Sequence, residues 1–216
     1  MGKGIVLAAF MALGLAGCAT QMPDVGSATG RMPEFTVAAA APAGFISFCL
    51  RFADQCERKL GAATSVPLTA DTWQTLTKVN LSVNESIWPQ DDVVHYGRGD
   101  YWTIPTDGYG DCDDYAVTKR KELLAAGFPA PALRLAVVDT PRNGRHAVLT
   151  VATDKADFVL DNLRNDIVAW NATGYTWVER QNPAAPLGWV QYRQPSPMLA
   201  ALQPAIGATV QTTATH

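Results

Sequence analysis

Residues Gly110-Asp111-Cys112-Asp113-Asp114-Tyr115-Ala116 open a helix that runs to about Ala126, closes on Gly127 and is stopped by Pro129 and Pro131. Behind it come three aliphatic or β-branched runs bounded by turn residues: Leu133 to Val138, Ala147 to Ala152 and Phe158 to Leu160. They predict three successive strands of a meander. Ahead of it, Trp73, Leu76, Val79, Val83 and Ile87 recur at spacings of three and four. That stripe predicts an amphipathic helix over Thr69 to Ile87, with Thr69 or Asp71 as N-cap. Asp91 to Asp107, which contains Gly97, Gly99 and Pro105, reads as a loop. Helix, helix, then antiparallel sheet is an α+β order; no repeat and no alternation of strand and helix suggests a Rossmann fold.

Cys112 falls in the first turn of its helix, where unpaired N–H groups and the helix dipole favour a thiolate. Asp111, Asp113 and Asp114 work against that by like-charge repulsion. An imidazolium partner, a cation bound near the aspartates, or both would offset it. The same residues also suit a purely structural helix start, with Asp111 as N-cap, two first-turn acids and Cys112 as a small buried side chain. His146 opens the second predicted strand, in Gly144-Arg145-His146-Ala147, and Asp161 closes the third, in Leu160-Asp161-Asn162. If those strands pair as a hairpin, the start of one lies beside the end of the next, and base meets orienter. A thiol at a helix start packed on that edge completes the set that thiol acyl transfer requires. His216 stands in the C-terminal tail, and His95 sits in the loop, where water or the loop itself would satisfy it.

The chain has 216 residues, 48% of them hydrophobic, with 17 Lys and Arg against 20 Asp and Glu for a formal charge of −3. This composition excludes a disordered tail, a small disulfide-stapled knot and a general nucleic-acid binder, because no basic excess is left to neutralise phosphates. Lys3 precedes an uncharged run from Gly4 to Gly17 that falls short of the roughly 20 residues needed to span a bilayer. Residues 1–17 therefore read as a signal peptide. Its end, Leu15-Ala16-Gly17-Cys18, resembles the lipobox of bacterial lipoproteins, so Cys18 is expected to carry lipid, and Ala19 after it favours the outer membrane. Ordinary cleavage, leaving Cys18 unmodified, is the alternative. Residues 18–44, poor in charge and rich in Ala, Pro, Thr and Gly, suit a flexible tether to a folded domain over 45–195, and 196–216 a loose tail. In an exported protein, Cys49 and Cys56 suit a local disulfide, with two separately buried thiols as the alternative.

Phe48-Cys49 with Cys56, Trp102-Thr103-Ile104-Pro105, Gly110 to Ala116, Gly144 to Ala147 and Leu160-Asp161-Asn162 together resemble the bacterial transglutaminase-like cysteine proteinases, among them the periplasmic LapG-type proteases. The resemblance implies a transglutaminase-like and papain-like fold and a Cys112, His146, Asp161 triad. It also implies calcium at the acids flanking the nucleophile, Asp111 and Asp113, although Asp113 stands where glutamate is frequent. The implied reaction is hydrolysis of a protein substrate, by analogy a large secreted adhesin, with regulation by an inner-membrane receptor. A lipid tether would depart from the soluble periplasmic relatives. In this scheme the oxyanion meets the Cys112 backbone N–H and a second donor, for which Trp102 is the candidate; a wall or core aromatic is its other reading. Transamidation, a cell-wall endopeptidase and a catalytically silent peptide- or calcium-binding lipoprotein are the rival readings. The endopeptidase is disfavoured because its Asp-Cys-Ser-Gly start is missing.

Overall fold

The packing of the Cys112 helix on the His146 strand organises the computed structural model, which describes residues 30–34, 37–57 and 62–192. That helix, α4, is Cys112–Ala125, and it follows α1 (Ala43–Arg51), α2 (Ala70–Ser86) and the short α3 (Asp92–Tyr96). The strands are β1 (Val37–Ala39), β2 (Trp88–Pro89), β3 (Tyr109–Gly110), β4 (Leu133–Thr140), β5 (Gly144–Ala152), β6 (Asp157–Leu160), β7 (Val168–Ala169), β8 (Thr176–Asn182) and β9 (Ala185–Gln191). β2 and β3 form a small parallel pair; the other seven make one antiparallel sheet ordered β1-β9-β8-β4-β5-β6-β7.

Alternation along the central strands divides the core in two. Leu133, Leu135, Val137, Ala147, Leu149 and Val151 pack with Trp73, Leu76, Val79 and Val83 of α2 and with Tyr115, Ala116 and Leu123 of α4. Residues of opposite parity, Ala136, Val138 and Val148, pack with Val159, Trp177 and Met32 on the other side, covered further by Trp170, Tyr175 and Tyr192. Each fully buried aliphatic side chain contributes about 1.5–3 kcal/mol relative to exposure. The α2 stripe lies where the spacing places it, and Thr69 caps the helix by accepting the Thr72 N–H at 3.1 Å.

Three expectations change. The meander β4-β5-β6 forms, but it is the middle of a wider sheet that gains the β8-β9 hairpin on its other side. The loop over Asp91 to Asp107 contains α3. The tether does not extend to residue 44, because Met32 is 3% exposed, its N–H donates to Asp157 Oδ2 at 3.2 Å, and β1 pairs with β9. One buried methionine and a strand's worth of backbone pairing outweigh a composition that reads as linker. Cys18, the lipobox and the expected C-terminal tail lie outside the described residues. Among those residues, no helix is long and apolar enough to cross a membrane.

Candidate active site

Cys112 is the first residue of α4, and the helix start around it is closed by a reciprocal cap. Asp111 Oδ1 accepts the Asp113 N–H at 3.4 Å, while the Asp111 N–H donates to Asp114 Oδ2 at 3.3 Å. Gly110 makes room for this: a Cβ there would lie 2.6 Å from Asp114 Oδ2. Facing the helix start is an interrupted sheet edge. β6 pairs with β5 only as far as Leu160 opposite Leu149, and the chain then turns away at Asp161. Two residues further along β5, the Ala147 N–H donates to Cys112 Sγ at 3.4 Å instead of to a strand.

The same interruption brings His146 to Asp161. His146 Nε2 lies 2.8 Å from Asp161 Oδ1, with the two residues 5% and 1% exposed. Asp161 also accepts the Leu163 N–H at 3.0 Å and the Tyr175 hydroxyl. With Nε2 committed to Asp161, Nδ1 is the ring nitrogen left to exchange a proton. Cys112, His146 and Ala147 share a cavity of about 230 Å³ with Trp102 and, from the sheet, Arg145 and Glu179.

A second cluster lies against the helix start. Asp92, Asp111 and Asp114 each offer a carboxylate oxygen, and these lie within 4.8 Å of one another; Asp111, Cys112 Sγ and Asp113 form another such group. Asp92 Oδ1 and Asp113 Oδ1 are buried and accept no hydrogen bond.

The family model described as bacterial transglutaminase-like cysteine proteinase matches residues 36–196. The chain belongs to this family. It is a cysteine protease with a transglutaminase-like α+β fold. Among solved structures, EGTA-treated Legionella pneumophila LapG is similar at 26% identity, covering 68% of this chain and 75% of that chain, with a TM-score of 0.49. Calcium-bound Legionella pneumophila LapG is similar at 26% identity, covering 61% and 71%, with a TM-score of 0.46. No curated protein matches.

In this proteinase the resting thiol is held neutral. Burial pushes the Cys112 thiol up to about 12 and the charge of Asp113 adds to the rise, with the Ala147 N–H opposing it and Asp111 reinforcing it. Burial similarly lifts the carboxyls of Asp111, Asp113 and Asp114, and their neighbours' charges lift them further; Asp114 reaches about 7 although it accepts the Thr103 N–H at 2.7 Å. Asp161 behaves differently. Burial alone would raise it, but the hydrogen bond and charge of His146 and the hydrogen bonds from Tyr175 and Leu163 outweigh that and hold it below the usual range. A carboxylate that stays charged beside a histidine is what an orienting group must provide.

The structure brings together Cys112, His146 and Asp161, and it joins Cys49 to Cys56 in a disulfide. Trp102 lines the cavity, but its single N–H donates to Asp100 Oδ1 at 2.8 Å, so here it is a wall with no free donor for an oxyanion. His95 is held within its own segment, with Nε2 2.8 Å from Asp107 Oδ2 and its ring stacked on Tyr96. Sequence reasoning missed Tyr175 on Asp161, Ala147 N–H on the sulfur, and Asp92 with Asp114 beside Asp111. The hydroxyl and Asp92 join the site across 14 and 19 residues of chain with no motif linking them.

Proposed function

We propose that this protease cuts a peptide bond with Cys112 as nucleophile, His146 as acid and base, and Asp161 as the group that orients and charges it. The observation that carries this reading is the shared cavity, in which the sulfur at a helix N-terminus accepts the Ala147 N–H beside a buried His146–Asp161 pair. Transfer of the thiol proton to His146 Nδ1 forms an ion pair. The new imidazolium offsets the burial and acidic charge that keep the resting thiol protonated. The thiolate then forms a bond to the peptide carbonyl carbon; the C–N bond breaks, and His146 returns its proton to the leaving amine. Water, giving up a proton to His146, attacks the thioester and releases the carboxylic acid and the thiol. The backbone N–H of Cys112 is one donor for the oxyanion.

A peptidyl electrophile offered across pH 6 to 9 tests the assignment. Labelling of Cys112 that is lost in His146→Ala supports it, and a Cys112 unreactive throughout that range removes it.

The oxygen-only set of Asp92, Asp111 and Asp114 suits a hard cation, and Asp92 Oδ1 is a buried acceptor without a donor. These residues would hold calcium, and a bound ion would cancel part of the negative charge that disfavours a thiolate at Cys112. Terbium luminescence titrated with calcium should show a site that weakens at least tenfold in Asp92→Asn, about 1.4 kcal/mol; indifference to that change would remove Asp92 from it. The lipobox supports a periplasmic enzyme anchored by lipid, with the outer membrane favoured, while the family resemblance supports a surface adhesin as substrate. Cys18→Ser should move the protein from the membrane fraction to the soluble fraction.

A further inference from the structure

We propose that Asp100 is a positioning residue, a latch that fixes Trp102 as a rigid wall of the cleft holding Cys112 and so governs how tightly a peptide is held there. This rests on Cys112 being the nucleophile.

Among the described residues, Asp100 is the one non-glycine with positive φ, at 56°. Aspartate tolerates that region better than most side chains, yet the conformation is still costly and persists only where the surroundings enforce it. Here they do so through the carboxylate. Oδ1 accepts the Trp102 indole N–H at 2.8 Å and Oδ2 accepts the Gly44 N–H at 2.7 Å, so one side chain joins the cleft wall to the start of α1.

Gly44 admits that approach. A Cβ at this position would lie 2.4 Å from both Asp100 O and Trp102 Cδ1, distances no side chain can occupy. The other end of α1 grips the same segment, because Arg51 Nη2 donates to Trp102 O at 2.6 Å. Arg51 also lies 4.1 Å over the Tyr101 ring. Phe45 meets the Trp102 ring edge-on at 5.8 Å, and Trp189 meets it at 6.2 Å. Trp102 is thereby 2% exposed while still lining the cavity with Asp100, Cys112 and His146.

The strain in Asp100 is thus coupled to one outcome, the placement of an aromatic wall. A loop needed only for connection would relax to an ordinary conformation, since nothing in chain length forces residue 100 into the left-handed region. A fixed wall binds peptide without an ordering cost at the moment of binding.

Two probes separate this role from general stability. Iodoacetamide needs only a reactive Cys112, whereas an alanine peptidyl chloromethyl ketone must also occupy the cleft. Asp100→Gly keeps the backbone conformation and removes the carboxylate; Trp102→Phe keeps the ring and removes the N–H. In each variant the ketone's half-saturating concentration should rise about fivefold or more, with its maximal inactivation rate and the iodoacetamide rate changing by less than about twofold. Since both changes break one contact, the double variant should be no worse than the more affected single one. Asp100→Asn, which tolerates positive φ and retains an oxygen for the indole, should recover part of the loss. An unchanged half-saturating concentration in Trp102→Phe, or losses that multiply in the double variant, would overturn the latch. Should Asp100→Gly fail to fold by circular dichroism, Trp102→Phe alone decides. Failure of both reagents to label wild-type Cys112 would instead count against the nucleophile.

Discussion

Lys119 lies on α4 seven residues beyond Cys112, fully buried, with its ammonium making no hydrogen bond and standing 6.0 Å from the Tyr115 ring. Burial lowers its pKa to about 7, against the pull of the Asp161 charge. The sign follows from linkage. Below pH 7 the folded protein must carry a buried ammonium, while between about 7 and 10.5 the unfolded chain holds a proton that the folded chain has shed, so this residue's penalty is largest at low pH and shrinks as pH rises. Lys119→Met should raise the unfolding midpoint in urea more at pH 6 than at pH 10; an equal gain at both would remove the titration account. The meeting of Cys112, His146 and Asp161 was legible at this scale because each stands at or near the end of an element whose pattern is strong. Lys119 and Asp92 were not: one looks like an ordinary helix lysine, the other like one of four loop acids, and only tertiary packing buries them.

Among the elements, α2 was readable from its apolar spacing and Thr69 cap, and α4 from its Asp111 cap and the Gly127, Pro129 and Pro131 that end it. The β8 strand was not, since Arg180 and Gln181 occupy buried positions that a sequence marks as exposed. Their burial depends on distant partners: Arg180 donates to Pro33 O at 3.3 Å, and Gln181 bonds Leu135 N–H and Pro186 O. The C-terminal end of α1 is tied down by Cys49–Cys56, a bridge spanning seven residues, as well as by Arg51 on Trp102 O. Loop-closure entropy for so short a span gives about 2 kcal/mol of stabilisation. The Cys49→Ala, Cys56→Ala protein should lose that amount in equilibrium unfolding while Cys112 keeps its reactivity toward iodoacetamide. A loss below about 0.5 kcal/mol would mean that α1 is held by its packing alone.

For the molecule as a whole, both faces of the sheet need covering, and the chain covers them with different means. Helices α1, α2 and α4 serve one face, whereas the other relies on Met32, Trp170, Tyr175 and Tyr192. Met32→Ala should therefore cost about 2–4 kcal/mol in unfolding free energy, a core-sized effect from a residue that composition assigns to a linker. A cost within about 0.5 kcal/mol would show the segment carrying Met32, a strap across that face, to be dispensable.

The strap also decides where mechanical load enters. Gly30 bridges to Ala156 and accepts the Trp170 indole N–H at 3.1 Å, and Met32 is seated two residues later. Tension on the chain ahead of Gly30 is thus borne first by contacts on the Met32 face, whereas Cys112 packs with the helices on the opposite face. Tyr175 lies against that same Met32 face and donates to Asp161, so load on the strap bears on the site through Asp161 rather than through Cys112.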